Sequence, residues 1–119
     1  MDGRVFEKNP VLKLSFNFAL MILEYCESLT ALKKFVISHQ LLKCGTSIGA
    51  NIMEAQNAES KQDFIHKMKI AAKEAEETQY WLLICTHSKG YPECGYLLTQ
   101  LDQVQKLLSS ILSAAKRSS

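Results

Sequence analysis

Three polar side chains, Ser47, Asn51 and Glu54, step along one stretch of the chain at intervals of four and three. That spacing sets them in a single row on a helix. Lys43 stands one turn before the row, and Glu74 and Thr78 form a pair of the same spacing on a later stretch. Hydrolytic chemistry would need a nucleophile, a base and a group that orients the base, and no such set is present. A metal-dependent nuclease using Glu54, Glu74 or a histidine would want histidines beside those carboxylates. His39, His66 and His87 are scattered instead. The six residues are therefore read as an interhelix polar network that fixes register, with no catalytic, cofactor-binding or metal-binding residues. A nuclease is kept as the remote alternative.

A second set could do recognition chemistry. Gln62, His66, Lys69, Lys73, Tyr80 and His87 recur on one side of a long helical stretch, away from its apolar seam. Basic side chains with an aromatic among them suit RNA phosphates and a stacked base. His66, Lys69, Lys73 and Tyr80 are the candidate nucleic-acid surface. Glu76 interrupts the row and can pair with Lys73 at i, i+3; a plain solvated face is the competing reading. Trp81 is read as a packing anchor.

These residues must be positioned by helices. The chain has 119 residues, 47% of them apolar and 22% charged, which suits one soluble globular domain over 1–119. Two prolines and five glycines leave little for the turns of an all-β fold. A net charge of +2 does not imply nucleic-acid binding through bulk charge. Cys26, Cys44, Cys85 and Cys94 show no C-x-x-C pairing and read as structural thiols of a reducing compartment. Cys85, His87 and Cys94 come nearest to a metal site but lack a fourth ligand. Arg4 and Lys8 precede the apolar run 14–23, yet Asp2, Glu7 and the abutting Lys13 spoil a leader. The run is too short to cross a bilayer, so a cytoplasmic location without membrane contact is expected.

Four helices are predicted. Asn9–Pro10 is a cap followed by a first-turn proline, opening a helix to about Cys26. Its inner face carries Val11, Ser15, Phe18, Ile22 and Tyr25; Phe16, Leu20 and Leu23 fall on the opposite side. A helix apolar on both sides is buried on both sides, so that outer row is expected to meet another subunit. The second helix spans about 31–57, with Phe35, Leu41, Leu42, Ile48 and Ile52 inward. Gly45 and Gly49 within it are expected to permit close approach of a neighbouring helix, since the apolar phase runs on across them. Ser60 and Asp63 start the third helix, whose seam Phe64, Met68, Ala71, Ala75, Thr78, Leu82, Cys85 repeats every 3.5 residues. Gly90 ends it. Pro92 is expected to open the fourth, with a stripe from Leu97 to Ala115 and a fraying tail. Short connections predict an all-α, antiparallel, up-down-up-down four-helix bundle. A hairpin turning near 58–59 would set Lys43 opposite Glu74, as an ion pair, and Asn51 near Lys67.

The runs QLLKCGTSIGANIMEAQ and DFIHKMKIAAKEAEETQYWL resemble the bacterial four-helix-bundle proteins encoded in intervening sequences of large-subunit ribosomal RNA genes. Leu41, Leu42, Ser47, Ile48, Asn51, Glu54, Phe64, Glu74, Thr78, Trp81 and Leu82 carry the likeness. The resemblance implies an antiparallel protomer in a homopentameric ring, with no established catalytic residues. It also relates the chain to basic accessory proteins of diversity-generating retroelements that bind reverse transcriptase and nucleic acid. This chain departs from those in its near-balanced charge, and Lys43 stands where arginine is usual, so bidentate carboxylate pairing is lost. The expected function is thus a non-enzymatic homo-oligomer acting by binding to RNA or a ribonucleoprotein partner. It takes no cofactor and no evident small-molecule substrate. The alternative is an assembly scaffold that contacts only protein.

Overall fold

The computed structural model describes residues 7–118; Asp2 and Arg4 lie outside them. Four helices follow in order: α1 Pro10–Ala31, α2 Phe35–Ala55, α3 Lys61–His87 and α4 Gly95–Arg117. No strand occurs among the described residues. The Asn9 side chain caps α1 by accepting from the Leu12 N–H at 3.2 Å. The Ser60 hydroxyl caps α3, accepting from the Asp63 N–H at 3.0 Å, while the Asp63 carboxylate accepts from the Glu59 N–H. Both caps satisfy amides that the first helical turn leaves without partners.

Four boundaries differ from the sequence expectation; one is the start of α2, at Phe35 rather than near Ala31, because α1 and its C-terminal turn take up the residues before it. Helix α1 runs past Cys26 to Ala31 because Leu29 continues its core stripe and is fully buried. It ends in a Schellman arrangement: Lys34 N–H bonds Leu29 C=O and Lys33 N–H bonds Thr30 C=O. The left-handed position is Lys33, at φ 63°, so the glycine that usually marks such an end is missing. Helix α4 begins at Gly95, and Pro92 sits before it in the connection, its carbonyl held by the Tyr25 hydroxyl at 2.8 Å. At the other end α4 does not fray from Ala114; it stays helical to Arg117, and Ser118 accepts a hydrogen bond from Lys61 at 2.8 Å.

Each helix packs on its chain neighbour and α4 returns to α1, while the backbones of the diagonal pairs stay apart and α1 meets α3 only through interior side chains such as Tyr25 and Cys85. Across each consecutive pair, rising numbers on one helix meet falling numbers on the next, which makes the neighbours antiparallel. Ser15 lies by Gly49 and Ile22 by Gly45; Glu54 meets Lys67 and Cys44 meets Thr78; Leu82 meets Cys94 and Gln79 meets Gln105. The core is the interior stripe of all four. Its α3 part is Met68, Ala71, Ala75, Thr78, Leu82 and Cys85, the 3.5-residue seam, with Phe64 half-buried. A Cβ on Gly45 would stand 2.9 Å from Ile22 Cγ2. The glycine therefore allows α1 and α2 to close on each other without breaking α2. Phe35 and Leu42, expected inward, are 59% and 36% exposed. Leu41, beside Leu42, takes the interior position because only one of two adjacent residues can face the core.

Candidate functional site

The polar row of α2 spends most of its hydrogen bonds on its own helix. Ser47 donates to the Lys43 carbonyl at 2.7 Å and Asn51 Nδ2 donates to the Ser47 carbonyl at 2.9 Å. On α3 the buried Thr78 hydroxyl donates to the Glu74 carbonyl at 2.7 Å. One ion pair crosses between the helices, Lys67 to Glu54 at 3.4 Å. The interhelix network expected from these six residues is thus reduced to a single crossing link, with Thr78 also set against Cys44.

The expected Lys43–Glu74 ion pair does not close; the ion pairs seen among the described residues are Lys67–Glu54 and Lys106–Asp102. The reason is register. Lys67 meets Glu54 rather than Asn51, so α3 sits about one turn away from the alignment that the turn at 58–59 implied. Burial holds the Glu74 carboxyl above the ordinary range, neighbouring Glu77 adds to the rise, and Lys43 opposes it from a distance. Glu54 and Glu74 do not converge. Glu54 is tied near Lys67, and seven residues of α3 rise about 10 Å before Glu74. No group of three or more His, Cys, Asp and Glu among the described residues could hold a metal.

The thiols are interior. All four cysteines are free and buried, and burial pushes the Cys26 and Cys44 thiols up to about 11. Such thiols are poor nucleophiles and poor ligands at neutral pH. Among the described residues no helix is long and apolar enough to cross a membrane.

The candidate recognition face is on the surface. His66, Lys69, Lys73 and Tyr80 are all exposed along α3. Tyr80 is 62% exposed and meets Trp81 edge-on, with ring centroids 5.6 Å apart at 70°. Trp81 is half-buried against the core, as an anchor should be, but its Nε1–H is buried without an acceptor.

The outer row of α1 is also on the surface: Phe16 is 40%, Leu20 48% and Leu23 43% exposed. Beside it the structure adds what the sequence reading missed. Ala19, Thr46, Gly49, Ala50 and Met53 help line an apolar groove of about 420 Å³ between α1 and α2. A second depression on the same pair of helices is bordered by Leu23, Thr30 and Leu42. The exposed Leu42 was the available signal, hidden by its buried neighbour.

The described residues thus form an all-α four-helix bundle with apolar residues exposed on the outer side of α1 and basic residues exposed along α3. The chain belongs to the 23S rRNA-intervening sequence protein family, whose sequence model matches residues 7–110. It is similar to a crystal structure from Bacteroides thetaiotaomicron described as a protein with unknown function from the S23 ribosomal protein family. The two share 41% identity with a TM-score of 0.82, over 86% of this chain and 97% of that one. Among curated proteins none matches.

Proposed function

We propose that this protein is a non-enzymatic homo-oligomer that acts by binding, with RNA or a ribonucleoprotein as its partner. The observation that carries the reading is the apolar outer row Phe16, Leu20 and Leu23, which remains about half exposed beside an apolar groove. Single exposed apolar residues are ordinary, but a contiguous face two helices wide marks an interaction surface. Two helices about 10 Å across and about 30 Å long offer about 600 Å², the lower end of what a stable interface uses per partner. A second copy is the partner this face suits. Repetition of the α3 surface around an oligomer would then let weak RNA contacts add through effective concentration.

The test has two parts. Light scattering across a dilution series should report an assembly, and a monomer at every concentration would end the oligomer reading. RNA binding should be salt-sensitive and should weaken in the double variant Lys69→Glu, Lys73→Glu. Glu76, exposed within the basic row, favours the second reading, a scaffold that contacts only protein. Absence of RNA retention at low salt would select it.

A further inference from the structure

We propose that the end of the bundle formed by the α1–α2 and α3–α4 turns docks on an anionic lipid surface. Leu32, Phe35 and Val36 enter the headgroup layer there, and Lys33, Lys34 and Lys89 meet its negative charges. This contact is separate from the RNA and oligomer readings and uses none of their residues. Antiparallel packing brings the end of α1, the start of α2 and the α3–α4 connection to one end of the molecule. Two contacts hold the turns together. The Lys34 ammonium stands 4.9 Å from the centre of the Tyr91 ring, and the Tyr25 hydroxyl donates to the Pro92 carbonyl at 2.8 Å. Leu32 caps the end of α1, while Phe35 and Val36 open α2, whose buried stripe begins only at Ser38 and Leu41. All three side chains are therefore left outside: Leu32 is 50%, Phe35 59% and Val36 73% exposed. No other leucine, valine or phenylalanine among the described residues is as exposed.

The charges beside them are mostly of one sign. Lys33 and Lys89 are exposed, and the ion pairs among the described residues involve neither. Lys34 lies over an aromatic ring rather than against an acid. Glu93, the acid in the α3–α4 connection, turns its carboxylate onto the Gly95 N–H at the start of α4. The next acid back along α1, Glu27, lies about 7.5 Å of helix below Leu32. Charge and shape together select the occupant. A second copy meeting this end with its own would set the same lysines against these, and like charges oppose that contact. A nucleic acid suits the lysines but gives Leu32 and Val36 no apolar medium. A bilayer with anionic lipid offers both: negative headgroups for the ammonium groups, and an apolar layer that accepts protruding side chains without a preformed pocket. Lysine stems can lie along that layer while their charges stay in water. The lack of a membrane-crossing helix among the described residues does not oppose this, since surface contact needs no long apolar run.

The experiment is co-sedimentation of the full chain with phosphatidylcholine vesicles containing about 30% phosphatidylserine, and with phosphatidylcholine alone, at about 0.1 M salt. The wild type should pellet with the anionic vesicles and about tenfold less with the neutral ones. Lys33→Ala/Lys89→Ala should lower partition about 25-fold, roughly fivefold for each lysine. Phe35→Ser/Val36→Ser should lower it about tenfold. Leu83→Ser, which removes a side chain of 40% exposure elsewhere on α3, should match the wild type, and circular dichroism checks that each variant is folded. No retention on anionic vesicles, equal retention on neutral ones, or retention unchanged by Phe35→Ser/Val36→Ser overturns the assignment. If that double variant instead lowers the assembly mass by light scattering while vesicle binding persists, a second copy covers this end and lipid does not. If soluble polyglutamate at equal charge displaces the vesicles, the end reads charge alone and the lipid assignment is wrong.

Discussion

Replacing Leu20 by glutamate is the sharpest test of assembly. Leu20 sits in the middle of the α1 outer row and is 48% exposed, between Phe16 at 40% and Leu23 at 43%. Full burial of a leucine stabilises by about 1.5–3 kcal/mol, so covering the exposed half would contribute about 1 kcal/mol for each such residue. The substitution removes that contribution and adds a carboxylate whose desolvation costs several kcal/mol in a closed interface. Together these come to about 4 kcal/mol, or roughly a thousandfold in dissociation constant. The folded protomer should tolerate the change, because the site already faces water and surface substitutions usually move stability by about 0.5 kcal/mol or less. Size-exclusion chromatography with light scattering should show Leu20→Glu as a monomer at concentrations where the wild type is assembled, and thermal melts followed by circular dichroism should show it folded. A variant that keeps the wild-type mass would refute the placement of the interface on this row.

Three further outcomes follow from the helix packing. Lys33→Gly should raise stability by about 0.5–1 kcal/mol in urea denaturation, because a side chain at φ 63° carries a left-handed penalty that glycine lacks; a loss of stability would mean the lysine side chain has a role there. Gly45→Ala should destabilise by about 1–2 kcal/mol, the contact with Ile22 at 2.9 Å outweighing the gain in helix propensity, whereas Gly49→Ala, facing Ser15 Oγ at 3.3 Å, should be near neutral. Equal effects at the two glycines would refute close packing at Gly45. The third concerns pH. The folded thiols of Cys26 and Cys44 lie at about 11 against an unfolded value of 9.0, so the folded state keeps protons that the unfolded state releases. Their contribution is whole below about pH 8 and is lost as pH climbs from 9 toward 11, amounting to about 3 kcal/mol for the two by pH 10; urea midpoints unchanged between pH 8 and pH 10 would show that these thiols are not shielded.

The residues differ in how far they could be placed beforehand. Asn9 and Ser60 cap helices through their own side chains, so short-range rules located them; Gly90, at φ 81°, lies two residues beyond Ser88, where α3 is capped, so it marks the turn rather than the helix end. The α3 seam was readable because Met68 to Cys85 repeat without a lapse. Leu41 and Leu42 were not separable, since adjacent apolar residues fit two phases of the same helix. Pro92 looked like a helix start because it opens helices elsewhere; here Tyr25, distant in sequence, holds its carbonyl. The ion pair expected between Lys43 and Glu74 failed for a similar reason. A connection of a few residues defines which helices are neighbours but leaves their alignment uncertain by a turn, and one turn is enough to separate two charges.

Periodicity and capping belong to contiguous residues, so the order of residues alone determined four helices, their inner stripes and the two-sided apolar character of α1. Alignment between helices depends on how side chains such as Ile22 and Gly45 interlock, which is a property of surfaces brought together from distant segments. Tertiary structure therefore decided that Glu54, not Asn51, meets Lys67, that Leu42 joins the outer face, and that Lys61 at the start of α3 reaches Ser118 beyond the end of α4. Charge balance is a sum over the whole chain, whereas the field a ligand meets depends on which helix faces which, and folding alone sets that.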